Sequence, residues 1–176
     1  MTVEEKMAAF AANLAKDLER HEGRKRARSA DQRVGFANAI YNLLLKVTLS
    51  SANPHRPAIA LSLRQSDYAS SNRYRPMPVS YRHLIAAYQT MRNTELIKQI
   101  RRGWFDVKSG RGKKTTFLAT EKLQKQLQQF KPYRARLSPI ETETIILKDI
   151  ADGKAIKTDY IDTPSICQMR HNLERI

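Results

Sequence analysis

A basic, glycine-containing segment at residues 108–114 has the residue types that bind phosphate. In "KSGRGKK", four cationic side chains flank Gly110 and Gly112: Lys108, Arg111, Lys113 and Lys114. Lysine and arginine contact phosphate oxygens, and glycine adds no side-chain bulk at the turn. The neighbouring runs "WFDV" and "TTFLA" favour strands, so this segment is predicted to be the tip of a β-hairpin. Such a tip could follow a nucleic-acid backbone or enter a minor groove; the alternative is a solvated surface turn.

The charge of the chain points to the same partner. Thirty-two Lys and Arg against 17 Asp and Glu give a net charge of +15 in 176 residues. Residues 55–136 carry +14, whereas residues 1–54 carry +3 and residues 137–176 carry −2. A polyanion neutralises self-repulsion of this size, which favours nucleic acid as partner. A solvated basic surface, an acidic protein and a membrane surface are the alternatives.

A predicted helix at residues 80–93, "SYRHLIAAYQTMRN", precedes the hairpin. Leu84, Ile85, Tyr88 and Met91 fall on one side, which we expect to be buried. The opposite side carries Arg82, Gln89 and Asn93 with the small Ala86, and Ser80 opens the helix. Arginine reads guanine, and Asn or Gln reads adenine, in a major groove. We therefore predict contacts with DNA from Ser80, Arg82, Gln89 and Asn93; a polar solvent-facing side is the alternative.

Other residues of the basic region are candidates for phosphate contact or for packing. Arg73 and Arg75 in "NRYRP" are predicted phosphate contacts, and Arg101-Arg102 form a further candidate pair. Trp104 and Phe105 are expected to anchor the hairpin in the core, the alternative being that one of them stacks on an unpaired base.

The N-terminal half is predicted to be mainly helical. Apolar residues recur at helical spacing between Val3 and Leu18, which predicts a helix over residues 2–20 with Thr2 as N-cap. The apolar stripe of this helix packs either on the rest of this chain or on a second copy of the chain in a homodimer. A basic linker follows, with four cations among residues 24–28. A second helix begins at Ser29, with Val34 and Phe36 on its apolar side, and "AIALSL" is a predicted buried strand.

The C-terminal residues 137–176 are predicted to form a β-hairpin and a helix. "ETETIILKDIADGKAIKTDYIDT" is rich in Ile and Thr around Asp152-Gly153, a composition typical of two strands and a turn. Thr163-Pro164 then begins an amphipathic helix with no C-terminal cap. The missing cap indicates an N-terminal piece of a longer protein, or a helix that pairs with a partner.

From the second helix onward, the predicted elements are a helix, a strand, an irregular segment, a polar-faced helix, a strand, a basic turn, a strand and a helix. This order resembles the winged helix-turn-helix. The resemblance rests on "VSYRHLIAAYQTMRNTELI" as recognition helix and exit, "WFDVKSGRGKKTTFLAT" as wing and "TEKLQKQL" as closing helix. It covers about half of the chain. The sequence departs from the family pattern at the helix exit, where Asn93-Thr94-Glu95 replaces the usual glycine. It implies an α+β fold with residues 1–28 as N-terminal helix and linker, 29–136 as DNA-binding domain and 137–176 as a C-terminal unit. "DYIDT" and the helix after it are similar to a segment of plasmid- and phage-encoded replication proteins. The implied function is binding of double-stranded DNA in replication initiation; a dimeric transcriptional regulator is the alternative.

The sequence has none of the usual motifs of an enzyme site. It lacks G-x-x-x-x-G-K-[ST], G-x-G-x-x-G and H-E-x-x-H, its four histidines are scattered, and Cys167 is the sole cysteine. We therefore expect no catalytic residues, metal site or cofactor. The acidic pairs Glu141/Glu143, Asp149/Asp152 and Asp159/Asp162 leave a metal-dependent nuclease or polymerase fragment as a second alternative, with the first pair on alternate positions of a strand. The N-terminus lacks the features of a signal peptide and no 18-residue apolar run follows, so we expect a cytoplasmic protein that does not enter a membrane.

Overall fold

The computed structural model of this chain describes residues 2–52, 58–62, 80–130, 138–154 and 158–160. The predicted contacts Arg73 and Arg75, the irregular segment around them and the helix predicted from Thr163 lie outside these ranges. No helix within the ranges is long and apolar enough to cross a membrane. The elements, in chain order, are α1 (Val3–Glu19), α2 (Ala30–Ala52), β1 (Ala58–Leu61), α3 (Tyr81–Asn93), β2 (Ile97–Arg101), β3 (Trp104–Asp106), β4 (Arg111–Lys113), β5 (Thr115–Ala119), α4 (Glu121–Leu127), α5 (Pro139–Ala151) and β6 (Thr158–Tyr160).

Helices α1 and α2 pack against each other. Thr2 caps α1 as predicted, in a capping box with Glu5. The apolar stripe of α1 is buried in the same core as α2, with Met7 and Leu18 almost fully covered. The stripe therefore packs on this chain, as the first of the two alternatives predicted. In α2 the prediction for Val34 is wrong, because this side chain is 61% exposed.

A four-stranded sheet lies beside the helices, with strand order β2-β5-β1-β6. Strand β5 is antiparallel to both β2 and β1, and β6 is parallel to β1. One face, with Ile59, Ile97 and Phe117, belongs to the core that α2 and α3 complete. The other face carries Ala58 and Leu118, which pack with residues of α5. Because both of its faces are covered, β5 is buried along its whole length. The α+β fold is thus confirmed.

The predicted second hairpin is wrong, because residues 139–151 form helix α5. Ser138 and Glu141 make a capping box, and Pro139 occupies the first turn. Gly153, predicted to be in a hairpin turn, follows the end of the helix with φ +70°. Strand propensity depends strongly on packing context. Here the capping residues at the two ends of the segment, and not its Ile and Thr content, agree with the observed structure. Glu141 and Glu143 consequently do not occupy alternate strand positions.

The predicted basic hairpin is present, but it forms a separate two-stranded sheet of β3 and β4. A bulge in β2 near Arg101 precedes it, and Gly103 marks its base. A β-carbon on Gly103 would lie 2.5 Å from the backbone N of Thr115, so these two backbone segments are too close for any residue other than glycine at position 103. The expectation that Trp104 and Phe105 anchor the hairpin in the core is wrong: they are 53% and 43% exposed, because the hairpin extends beyond the main sheet.

Candidate nucleic-acid interface

Helix α3 is fixed by its cap and its buried face. The backbone N–H of His83 donates to Oγ of Ser80 at 3.3 Å, so the Ser80 hydroxyl serves as the N-cap. Leu84, Tyr88 and Met91 are buried, as predicted, and Ile85 is half-buried. A helix held on this side presents its opposite side in a fixed orientation.

The opposite side of α3 carries the predicted polar residues. Arg82, Gln89 and Asn93 are exposed, and Ala86 between them is half-buried. Spacings of seven and four residues place the three on one face, over about three turns. Arg92 flanks this face and was not among the predicted contacts; it is exposed, and its guanidinium donates to Oε1 of Gln99 at 3.3 Å. The result is a narrow stripe of hydrogen-bonding groups with a small residue at its centre.

The exit of α3 directs the following strand back along the helix. The N–H of Leu96 donates to the carbonyl of Met91 at 2.9 Å, and Glu95 adopts the left-handed conformation with φ +59°. Glu95 thus takes the conformation usual for glycine at such an exit. In β2, Gln99 accepts hydrogen bonds from Tyr88 as well as Arg92, at 2.7 Å from the tyrosine hydroxyl. Strand β2 therefore runs antiparallel to α3 and leads toward the N-terminal half of the helix.

The hairpin that follows has two different faces; we call residues 104–113 the basic hairpin. Cross-strand partners share a face, and the pairs are Trp104 with Lys113, Phe105 with Gly112, and Asp106 with Arg111. One face thus holds Trp104, Asp106, Arg111 and Lys113. On the other, Phe105 covers Gly112, where a β-carbon would lie 2.7 Å from the phenyl ring. Lys108, Arg111 and Lys113 are exposed as predicted, whereas Lys114, at the base of the hairpin, is half-buried.

The turn of the basic hairpin is held by Asp106. Its carboxylate accepts a hydrogen bond from the Ser109 hydroxyl at 2.6 Å and from the Lys108 N–H at 3.1 Å. These donors, the Ser109 hydroxyl foremost, lower the pKa of Asp106 below its usual 3.8. Gly110 supplies the positive φ, +65°, that the turn requires. Asp106 thus joins the two ends of the segment 106–109 within the turn.

A second basic surface, which the sequence did not predict as a unit, lies between α1, the linker and α2. It is an open cleft of about 530 Å³, here called the basic cleft. The sequence identifies only the linker cations as a group, because the other cations of the cleft lie on two helices whose packing cannot be read from the sequence. The cationic residues that line it are Lys16, Arg20, Arg24, Arg26 and Arg33, together with Glu19 and Ala27. Glu19 is 3.4 Å from Arg33, so one carboxylate faces five cations.

His83, near the N-terminal end of α3, lies within range of the charges of the linker. Burial first, and then the charges of Arg28, Arg24 and Arg82, lower the pKa of His83. Because such effects fall with distance, Arg24 and Arg82 both lie near this histidine. His83 also packs against α2, where a β-carbon on Gly35 would lie 2.5 Å from its ring. Arg24 of the basic cleft and Arg82 of α3 are therefore both within electrostatic range of His83.

Arg28 differs from its basic neighbours because it is buried. Its guanidinium pairs with Glu22 and lies 3.7 Å from the centre of the Phe36 ring. The side chain is 3% exposed, whereas Arg24 and Arg26 are fully on the surface. Arg28 thus fixes the linker to α2 through Phe36 and to α1 through Glu19, to whose carboxylate its backbone N–H donates at 3.3 Å.

Three of the acidic residues that could have formed a metal site make other side-chain contacts. Glu141 caps α5 through Ser138, and Glu143 pairs with Lys98 at 2.6 Å. Asp152 is 3.7 Å from Lys154. Within the described ranges, no three His, Cys, Asp or Glu side chains lie close enough together to hold a metal ion.

The chain was compared with known proteins at the level of family, sequence and fold. No family model, curated protein or solved structure matches it. Functional conclusions therefore rest on α3, the basic hairpin and the basic cleft.

Proposed function

We propose that this chain binds double-stranded DNA as a winged helix-turn-helix protein, with α3 as the recognition helix and the basic hairpin as the wing. The strand order β2-β5-β1, antiparallel throughout, supports this because it joins α3 to the hairpin through one strand and returns through the next. A short strand before α3 and a closing helix after the hairpin fit the same arrangement.

One observation carries the proposal: the polar stripe of α3 and the cations of the basic hairpin are joined by a strand that runs back along α3. An α-helix fits the major groove, and the stripe offers Arg82, Gln89 and Asn93 to base edges. Half-buried Ala86 allows close approach at the centre of the stripe. Lys108, Arg111 and Lys113 would contact the adjacent backbone.

The basic cleft would extend the contact along the phosphate backbone. Its Arg24 lies near the start of α3, and its five cations line the cavity. Arg20 also lies near Asp17 and Arg33 near Glu19, and Nε of Arg24 donates to the carbonyl of Arg26 at 3.4 Å. Phosphate contacts fix the position of a protein on DNA without reading sequence. In this proposal the cleft strengthens binding and α3 provides specificity.

The biological setting we propose is replication initiation on a plasmid or phage, with a transcriptional regulator as the alternative. A dimeric regulator needs a surface for a second copy, and the apolar stripe of α1 is covered by α2. The two settings differ in the number of chains on one DNA site, which the molar mass of the complex gives directly.

The direct test is binding of a fluorescently labelled mixed-sequence duplex, followed by anisotropy at about 50 mM salt. Wild-type protein should bind with a dissociation constant of about 10⁻⁶ M or lower, since non-specific affinities reach 10⁻⁴ to 10⁻⁶ M at higher salt. A double variant, Arg82→Ala with Arg111→Ala, should bind more weakly, whereas Lys6→Ala with Lys148→Ala, an equal charge change on α1 and α5, should bind like wild type. Absence of binding by the wild-type protein would refute the proposal.

A further inference from the structure

We propose that Trp104 on the basic hairpin is a stacking site for an unpaired nucleobase, so that this hairpin binds single-stranded nucleic acid as well as the duplex backbone. The inference deepens the proposed function, on which it rests for the class of ligand. It assigns a binding role to an aromatic residue that the fold leaves uncovered.

The two aromatic residues of β3 differ in how they pack within the basic hairpin. Phe105 covers Gly112, and any side chain at position 112 would meet its ring. Phe105 is therefore part of the hairpin's own packing. Trp104 lies on the opposite face, paired across the strands with Lys113, and remains 53% exposed. An indole is among the largest apolar surfaces in a protein, and on this outlying two-stranded sheet it offers a flat face on which a ligand can stack.

The surroundings of Trp104 favour a nucleotide over an apolar protein surface. Lys113 lies directly across from it, and Arg111 follows on the same face two residues along β4. Aromatic side chains beside cations bind single strands, because the ring stacks on a base while the cations contact its phosphates. In the region 55–136, with +14 of the chain's charge, the complementary ligand is a polyanion.

The base must be unpaired. Within a duplex the faces of each base are covered by its neighbours, so a side chain reaches a base face only where stacking is interrupted. A hairpin that leaves the main sheet at Gly103 is narrow enough to approach a separated strand. Trp104 would therefore favour partly opened DNA over closed duplex.

The chain offers its own probe for this contact. It contains one tryptophan, so intrinsic tryptophan fluorescence reports on Trp104 alone. We would titrate the intact chain with a 12-nucleotide oligo-dT and, separately, with inorganic polyphosphate, which has the charge but no bases. Oligo-dT should quench the fluorescence and polyphosphate should not. Binding of oligo-dT without quenching, or equal quenching by both ligands, would overturn the inference.

Substitutions test the contribution of the ring to affinity. Trp104→Ala should weaken oligo-dT binding about 5-fold to 100-fold, the range for loss of one base stack, and Trp104→Phe should recover most of it. The matched control is Val107→Ala, since Val107 is an 81% exposed apolar residue in the turn of the same hairpin. An equal loss in Val107→Ala, or no loss in Trp104→Ala, contradicts stacking. Thermal melting should show all three variants folded at the titration temperature, because Val107 is mostly exposed and Trp104 lies on the two-stranded sheet outside the main core.

A duplex arm separates this inference from the proposed function. The loss caused by Trp104→Ala should be several-fold smaller on duplex DNA than on oligo-dT. If the wild type binds duplex while oligo-dT leaves the fluorescence unchanged, the stacking site is refuted and duplex binding stands. If oligo-dT binds with quenching while duplex does not bind, duplex recognition is refuted and the stacking site stands.

Discussion

Removal of the three exposed cations of the basic hairpin should change how DNA affinity depends on salt. The variant is Lys108→Ala, Arg111→Ala and Lys113→Ala combined. None of the three is buried, and Gly103, Gly110 and Asp106, which shape the hairpin, are retained. The fold should therefore be unchanged, and the difference in binding should report phosphate contact alone.

The magnitude follows from the number of charges. Each neutralised phosphate contributes about −0.9 to the slope of log affinity against log salt. Loss of three contacts should make the slope shallower by about 2.7, whatever α3 and the basic cleft contribute. Between 50 and 200 mM salt, a fourfold change, the wild type should lose roughly 40-fold more affinity than the variant.

The assay is fluorescence anisotropy of a labelled duplex at four salt concentrations in this range. The matched control replaces Lys6, Lys125 and Lys148 by alanine, an equal charge change at exposed positions of α1, α4 and α5. The control should keep the wild-type slope. An equal change of slope in both variants would refute the reasoning, because binding would then follow net charge and not the basic hairpin.

Three further predictions concern the parts that hold the interface in place. Gly103→Ala should cost about 1–3 kcal/mol in the free energy of unfolding by urea, because its β-carbon would lie 2.7 Å from the carbonyl O of Lys113. Arg28→Ala should cost about 3–5 kcal/mol in the same measurement, since it leaves Glu22 buried without its partner, whereas exposed Arg26→Ala should stay within about 0.5 kcal/mol. The lowered pKa of Asp106 stabilises the turn at neutral pH, and this contribution is lost as pH falls through the region below 3.8. The protection factors of the Lys108 and Ser109 amides, which correct for the intrinsic pH dependence of exchange, should fall there because both N–H groups donate to Asp106; a fall already at pH 6 would contradict the role of Asp106.

The sequence correctly predicted the helices for which the capping residue and the apolar periodicity indicate the same start. Ser80 caps α3 at the predicted start of that helix, and Thr120 caps α4 at the start of the predicted closing helix "TEKLQKQL". The buried face of α3 follows from helical spacing. The exposed positions of Arg82, Gln89 and Asn93 were predictable for the same reason. Their contact with DNA stays a prediction.

The errors arose where local composition and local end residues disagree. In α5, Ile and Thr favoured strands, but Ser138-Pro139 with Glu141 and then Gly153 already marked the ends of a helix. More weight on the caps would have given the helix. Glu141 and Glu143 were consequently placed on the wrong element.

Features that depend on packing between elements were beyond local patterns. Trp104 is exposed because β3 pairs with β4 away from the main sheet, and apolar strand residues give no sign of this. The basic cleft unites Lys16, Arg24 and Arg33 from α1, the linker and α2, and only the packing of those helices brings them together. Pairing of β6 with β1 is likewise a tertiary contact, between residues about 100 positions apart.

Selection from a random duplex library tests most directly whether α3 reads DNA sequence. Wild-type protein should enrich a defined motif. Arg82→Ala and Gln89→Ala should each relax the preference at one or two positions of that motif, with about 1–3 kcal/mol lost per base contact. The basic-hairpin triple variant should weaken binding but enrich the same motif. Enrichment of an unchanged motif by both α3 variants, or of no motif by the wild type, would contradict recognition through α3.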